Sequence, residues 1–205
     1  MLITIEGIDG SGKSSLVASL CETLADLCPV ITREPGGTWV GNAVRRAIAE
    51  EVDPVAEALL FVADHAVHLA TVVRPALAQG KLVISDRYTD SRYAYQQVTL
   101  PGTIPDPLKW LRQVHEGWTV PPDLTFLLVV PVEEALERRS GRTEREHFEH
   151  ASLLARVQEN YLALAREEPS RFIIVDAERD EEEIHHFVAD AIRSTSARSR
   201  SHRRH

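Results

Sequence analysis

Short, nearly continuous apolar runs recur along this chain at residues 1–6, 82–85, 124–130 and 172–175, with a shorter one at 30–32. Runs of this length without polar alternation fit strands covered on both faces, as in a parallel sheet. Between them apolar residues return at helical spacing over 14–27, 40–50, 56–77, 107–115, 132–139, 152–167 and 181–193. Strands alternating with helices predict a doubly wound α/β fold on a five-stranded parallel sheet flanked by helices. In such sheets ligands collect at the carboxyl ends of the strands, where Gly7, Arg33 and Asp86 emerge.

No repeat or linker divides the pattern, and 205 residues suit one core, so residues 1–193 are expected to form a single domain. Residues 194–205 carry no large apolar side chain and are expected to be a disordered basic tail. Lys plus Arg number 23 and Asp plus Glu 31, a formal charge of 23 − 31 = −8. No global positive field therefore draws the chain to nucleic acid, apart from weak contact through the tail. No apolar run approaches the ~20 residues that span a bilayer, so no membrane partner is expected and the cytoplasm is the expected compartment. Cys21 and Cys28 are too far apart on a helix for a disulfide and are expected to be structural thiols.

The chemistry begins at Gly7-Ile8-Asp9-Gly10-Ser11-Gly12-Lys13-Ser14-Ser15, which follows an apolar strand and opens an amphipathic helix. This is the P-loop spacing in its expected context. Its glycines let consecutive backbone N–H groups point at phosphate oxygens, and the helix N-terminus adds partial positive charge. Lys13 is expected to reach the β- and γ-phosphates of ATP, and the Ser14 hydroxyl to ligate Mg²⁺. Asp86, at the end of a buried strand, is placed to hold the same Mg²⁺ directly or through water. A P-loop alone does not separate a kinase from a switch. The guanine-reading Asn-Lys-x-Asp motif is absent from the sequence, and the length leaves no room for the modules of most ATPase machines, which favours a small-molecule kinase.

Three further segments narrow the class: Arg33-Glu34-Pro35-Gly36-Gly37-Thr38, Asp86-Arg87-Tyr88 and Ala94-Tyr95-Gln96. With the P-loop they resemble the thymidylate kinase family over roughly residues 2–188. The resemblance implies a P-loop nucleoside-monophosphate kinase that phosphorylates dTMP, works as a homodimer and uses MgATP. By the same resemblance Asp9 accepts from the sugar 3′-hydroxyl, and Arg33 and Arg87 bind the acceptor phosphate. Phe61 stacks on the base, and Tyr95 and Gln96 close over the nucleotide. At residue 65, where the family commonly has an arginine donating to the base, this chain has His65. Arg92 stands where bacterial members carry Ser or Thr, and it either takes over part of that contact or faces solvent on a helix. Residues 138–150 occupy the lid position. Because Gly10 and Ser11 leave the P-loop without an arginine, the lid is expected to supply it, from Arg142 and Arg145, with Arg138 as a further candidate. Two alternatives stay open: a kinase for another pyrimidine nucleotide or nucleoside, and a P-loop switch.

Overall fold

The computed structural model describes residues 1–100, 102–138 and 144–202, without the side chains of 144–149 and 199–202. Five parallel strands make one sheet: β1 (Leu2–Gly7), β2 (Val30–Arg33), β3 (Val83–Asp86), β4 (Leu124–Val129) and β5 (Phe172–Asp176), in the order β2-β3-β1-β4-β5. The expected doubly wound architecture is therefore present. β1 lies at the centre and every one of its residues is buried, which is why it reads as a continuous apolar run. Ile5 and Arg33 both register with Asp86, so the ends of β1, β2 and β3 meet on one rim.

Between the strands run α1 (Lys13–Thr23), α2 (Trp39–Ala49), α3 (Pro54–His68), α4 (Arg74–Ala78), α5 (Thr89–Thr99), α6 (Pro107–His115), α7 (Val132–Glu137) and α8 (Glu144–Glu167), and α9 (Glu181–His202) follows β5. Local chemistry sets several of their starts. Thr38 caps α2 by accepting from the Gly41 N–H, and Asp53 caps α3 by accepting from Val55 and Ala56, with Pro54 at the first helical position. Asp106 does the same for α6 ahead of Pro107.

Four elements depart from the sequence expectation. The uninterrupted helix at 56–77 is instead α3 and α4 joined by a π-helical turn, Leu69–Val73. Pro75 explains it, since a proline has no N–H to donate and its ring crowds the carbonyl one turn back, which a wider turn accommodates. Helix α5 left no apolar stripe because its buried side is polar: Thr89, Asp90, Ser91, Arg92 and Gln96 are buried beside Ala94. Helix α8 begins at Glu144 rather than 152, extended backward by polar residues that favour helix without marking it hydrophobically. Helix α9 continues to His202, past the point where a disordered tail was expected. Thr195 Oγ1 donates to the Ala191 carbonyl at 2.9 Å and Arg193 pairs with Asp26 at 2.7 Å, extending its contacts.

The polar side of α5 is matched by polar residues of the sheet. Thr4 Oγ1 pairs with Thr125 Oγ1 at 2.8 Å, and Arg171 holds both oxygens of the fully buried Asp90 at 2.7 and 2.8 Å. Glu6, also fully buried, accepts from the Tyr88 N–H, Ser91 Oγ and Tyr161 Oη. Ile3 and Ile5, pointing the other way along the same strand, join the main apolar core. The sheet thus carries a hydrogen-bonded layer directly beneath the rim.

Within Pro54–Ala78 an 18-residue window has a mean hydropathy of 1.4, long and apolar enough by composition alone to cross a bilayer, although Glu57, Asp64 and Arg74 interrupt the stretch. Its polar residues nonetheless bind within the fold. Asp64 accepts from the Gly36 N–H at 2.8 Å and from Thr38 Oγ1 at 3.2 Å, and His65 and His68 are buried.

Candidate active site

The P-loop wraps from β1 into α1 with Gly10 and Gly12 at positive φ. A Cβ at Gly10 would lie 2.1 Å from the Ala135 carbonyl oxygen, so this position excludes every side chain and brings the loop against α7. Lys13 folds back to donate to the Ile8 carbonyl at 2.7 Å and to Ser11 Oγ at 3.3 Å. Burial, followed by the nearby Arg87 charge, pulls its pKa down to about 7.

Ser14 Oγ donates to Asp86 Oδ2 at 2.8 Å, while Asp86 Oδ1 is buried with no hydrogen-bond partner. A hydroxyl beside an under-used carboxylate oxygen is the donor set a hard divalent cation takes, so these residues fit Mg²⁺. Arg87, at φ 69°, spans the gap to Asp9: Nη2 reaches Asp9 Oδ1 at 2.5 Å, and Tyr95 Oη accepts from the Asp9 N–H at 3.1 Å. The guanidinium also lies 5.0 Å from the Tyr95 ring centroid. From beneath, Ser91 Oγ and Tyr161 Oη support Nη1 at 3.1 and 3.4 Å. Burial, then the Asp90 charge, pushes the pKa of Glu6, which holds both of those hydroxyls, up to about 7.

These groups open on a cleft of about 670 Å³ lined by Asp9, Gly10, Gly12, Lys13, Ser14, Ser15, Arg33, Asp86 and Arg87. The structure thus joins the P-loop, the strand-end carboxylate and both expected phosphate arginines. Gly7, Ile8 and Ser11 lie buried beneath the loop. Arg45 and Arg138 also line the cleft, and sequence reasoning had passed over Arg45. Arg45 binds the Pro35 and Gly36 carbonyls at 3.1 and 2.7 Å and braces the loop behind Arg33. α2 approaches that loop so closely that a Cβ at Gly41 would lie 2.1 Å from the Gly36 oxygen. Arg138 is held by Glu134, at 2.5 Å, and by the Ala177 carbonyl at 3.2 Å. Behind the P-loop, Ser11, Ser15, Arg138, Ala177 and Glu181 line a smaller cavity. Arg142 lies outside the described residues, as does the side chain of Arg145.

The expected base-binding residues are not in this cleft lining. Phe61 is half-buried on α3, and Gln96 is buried on α5 with Nε2 3.4 Å from Glu57 Oε1. His65 is fully buried: Nδ1 bonds Glu34 Oε1 at 2.7 Å and Nε2 bonds Thr119 Oγ1 at 2.7 Å. Arg92 is only 2% exposed, which removes the solvent-facing alternative. Its Nη1 donates to Glu34 Oε2 and its Nε to His115 Nε2 at 3.1 Å. His68 Nδ1 also reaches Glu34 Oε1, at 2.6 Å.

Glu34, His65 and His68 are metal-ligating types, and their donor atoms lie within 4.8 Å of one another. The separations decide against a metal. Ligands of a tetrahedral Zn²⁺ sit about 3.3 Å apart at ordinary bond lengths, whereas 2.6 and 2.7 Å are hydrogen bonds. Arg92 and the histidines hold the Glu34 carboxyl well below the usual range against the opposing effect of burial. Burial, then the Arg92 charge, pulls His65 down to about 4. The cluster is therefore an ion pair between Glu34 and Arg92 beside a His65 imidazole that is neutral at neutral pH.

A profile of the thymidylate kinase family matches residues 5–188. The chain is 62% identical over 200 residues to a probable thymidylate kinase of Methanoculleus marisnigri, covering 98% of each. It is 63% identical to a probable thymidylate kinase of Methanospirillum hungatei over 193 residues, 94% of each. This chain belongs to the thymidylate kinase family. The crystal structure of thymidylate kinase from Ehrlichia chaffeensis is similar in three dimensions, with a TM-score of 0.72 at 30% identity, covering 94% of this chain and 98% of that one. As a member of this family the chain is a nucleoside monophosphate kinase, with the P-loop kinase fold.

Proposed function

We propose that the chain transfers the γ-phosphoryl group of ATP to dTMP, giving ADP and dTDP. The observation that carries this reading is the placement of Arg33 and Arg87 on the same cleft as Lys13, which provides cations for two phosphate groups. Two polyanions repel, so bringing them together is the main task. The acceptor phosphate oxygen is already ionised at neutral pH and attacks in line without a general base. Lys13 draws charge from the β- and γ-phosphates as Arg33 and Arg87 hold the acceptor phosphate. Asp9, which orients Arg87, accepts from the sugar 3′-hydroxyl. Ser14 and Asp86 would hold Mg²⁺, which when bound neutralises charge on the donor phosphates. Phe61, Tyr95 and Gln96 enclose the acceptor nucleotide, Arg92 meets the base edge with His65 behind it, and Arg142 and Arg145 supply the closing cations of the lid.

Coupled detection of ADP release across a panel of acceptors tests this reading. Release confined to dTMP and close analogues supports it. Preference for another pyrimidine acceptor, or slow release independent of any acceptor, overturns it.

A homodimer completes the proposal. On the adjacent helices α2 and α3, Trp39, Ile48 and Leu59 are 79%, 48% and 47% exposed, an apolar surface a second copy would cover. Light scattering should give twice the chain mass for the wild type and a monomer for Leu59→Glu. A monomeric wild type would sink the dimer alone.

A further inference from the structure

Glu6 stands on β1 directly before Gly7 of the P-loop and is fully buried. A carboxylate there is costly unless its oxygens find donors. Oε1 accepts from the Tyr88 N–H at 2.8 Å, and Oε2 accepts from Ser91 Oγ at 2.5 Å and from Tyr161 Oη at 2.9 Å. The two hydroxyls, one on α5 and one on α8, lie 2.7 Å apart. Both also face the Arg87 guanidinium, whose Nη1 donates to Ser91 Oγ at 3.1 Å, to Tyr161 Oη at 3.4 Å and to the Gly7 carbonyl at 3.3 Å. On the cleft side Nη2 reaches Asp9 and Tyr95. The backbone of Arg87 lies at φ 69°, a region that a residue other than glycine keeps only where its surroundings hold it. Here its N–H donates to the Ile5 carbonyl at 3.0 Å, and its own carbonyl accepts from Ser85 Oγ at 2.7 Å.

The direction of the hydroxyl hydrogens decides what this assembly does. Each hydroxyl has one hydrogen to donate, and an ionised carboxylate only accepts. Whichever hydroxyl donates to the other, the hydrogens therefore run toward Oε2 and leave lone pairs for Arg87 Nη1. A donor in place of Oε2 would turn those hydrogens back against the guanidinium.

We propose that Glu6 is a positioning residue, which through Ser91 and Tyr161 fixes the Arg87 guanidinium from beneath so that Nη2 stays turned toward the acceptor phosphate. The inference rests on the function proposed above and deepens it. Asp9 and Tyr95 hold the guanidinium only at Nη2, so the hydroxyls at Nη1 are what stop it from tilting. Orientation set before the substrate arrives need not be imposed during the reaction. Because Glu6 and Gly7 are consecutive, the same strand end carries both the donor cradle and the support of the acceptor arginine.

The test measures Kd for dTMP by calorimetry and KM for ATP in the full-length chain. The work is done at pH 8, where Glu6, its pKa pushed up to about 7 by burial and then the Asp90 charge, is mostly ionised. Tyr161→Phe removes one hydroxyl and keeps the ring. Glu6→Gln must offer its amide oxygen to the Tyr88 N–H, which puts its NH2 against the hydroxyls and reverses their hydrogens. Arg87→Lys keeps the charge without the fork. Tyr161→Phe should raise Kd for dTMP fivefold or more and Glu6→Gln should raise it further, with KM for ATP within twofold in both. Added to Arg87→Lys, Tyr161→Phe should raise Kd less than twofold more, because the hydroxyl acts through the guanidinium. A rise below fivefold in Tyr161→Phe, a smaller effect of Glu6→Gln, a larger shift in KM for ATP, or a further rise of twofold or more in the lysine background would each overturn the proposal. Should Glu6→Gln fail to fold, the Tyr161→Phe and Arg87→Lys set decides alone. A wild type that binds no dTMP would overturn the function itself and this inference with it, so the two failures are distinguishable.

Discussion

Asp86 accepts a hydrogen bond from Ser14 at 2.8 Å through one carboxylate oxygen while the other is buried without a partner. A carboxylate so placed is electrostatically under-used until a cation arrives. Asp86→Asn should lower kcat at least a hundredfold at millimolar Mg²⁺ and raise the Mg²⁺ concentration needed for half activity, and chelation of divalent ions should abolish turnover. Retention of wild-type rate and Mg²⁺ dependence in Asp86→Asn would remove Asp86 from the metal site.

Lys13 should acquire a proton when nucleotide binds. Its pKa of about 7 results from burial and the Arg87 charge, and a triphosphate at the P-loop reverses that balance. Binding of ATP at pH 8 should therefore take up about one proton, and binding at pH 6 far less. Calorimetry in two buffers of different ionisation enthalpy reads this directly. Equal heats in the two buffers at pH 8 would contradict it.

The two phosphate arginines should fail differently. Arg33 is exposed at the end of β2, whereas Arg87 is built into the bonds among Asp9, Ser91, Tyr95 and Tyr161. Arg33→Ala should raise KM for dTMP tenfold or more without a measurable change in melting temperature. Arg87→Ala should lose both activity and several degrees of stability. Thermal denaturation alongside kinetics checks the contrast, and equal stability losses would refute it.

Stability should depend on pH through Glu6. Its folded pKa of about 7 lies above the ordinary 4.5, so its contribution is fully present below pH 4.5 and is lost as pH rises through 7. That interval corresponds to roughly 3 kcal/mol. Glu6→Gln cannot titrate, so the stability of wild type relative to the variant should fall between pH 4.5 and 7.5. Urea denaturation across that range measures it, and a constant difference would dismiss the effect. His65, depressed to about 4, acts in the opposite sense: its contribution is present above pH 6.5 and is lost as pH falls through 4.

Much of this was legible in the sequence. The apolar runs of β1, β3 and β4 stood out because a central parallel strand is buried on both faces. The P-loop was legible because its chemistry depends on adjacent residues, and backbone geometry carries it wherever the strand and helix flank it. Arg33 and Asp86 could be placed on the rim because strand ends converge there, whereas Arg87 came only from the resemblance. What the sequence concealed were groups whose roles are set by distant partners. Helix α5 buries Asp90, Ser91 and Arg92, and a polar buried face leaves no hydrophobic period to read. Gly41 looks like any helical glycine until the loop carbonyl of Gly36 is brought against it. The resemblance assigns His65 to the base, and the sequence places Glu34 in a loop. Only packing of α3 against β2 and α5 joins them with Arg92. The chain by itself determined the strands and the phosphate cradle, because burial on both strand faces and a short motif are both read from adjacent residues. The tertiary structure decided which buried charges meet, because a buried polar group takes its state from whatever partner the fold places within hydrogen-bond reach.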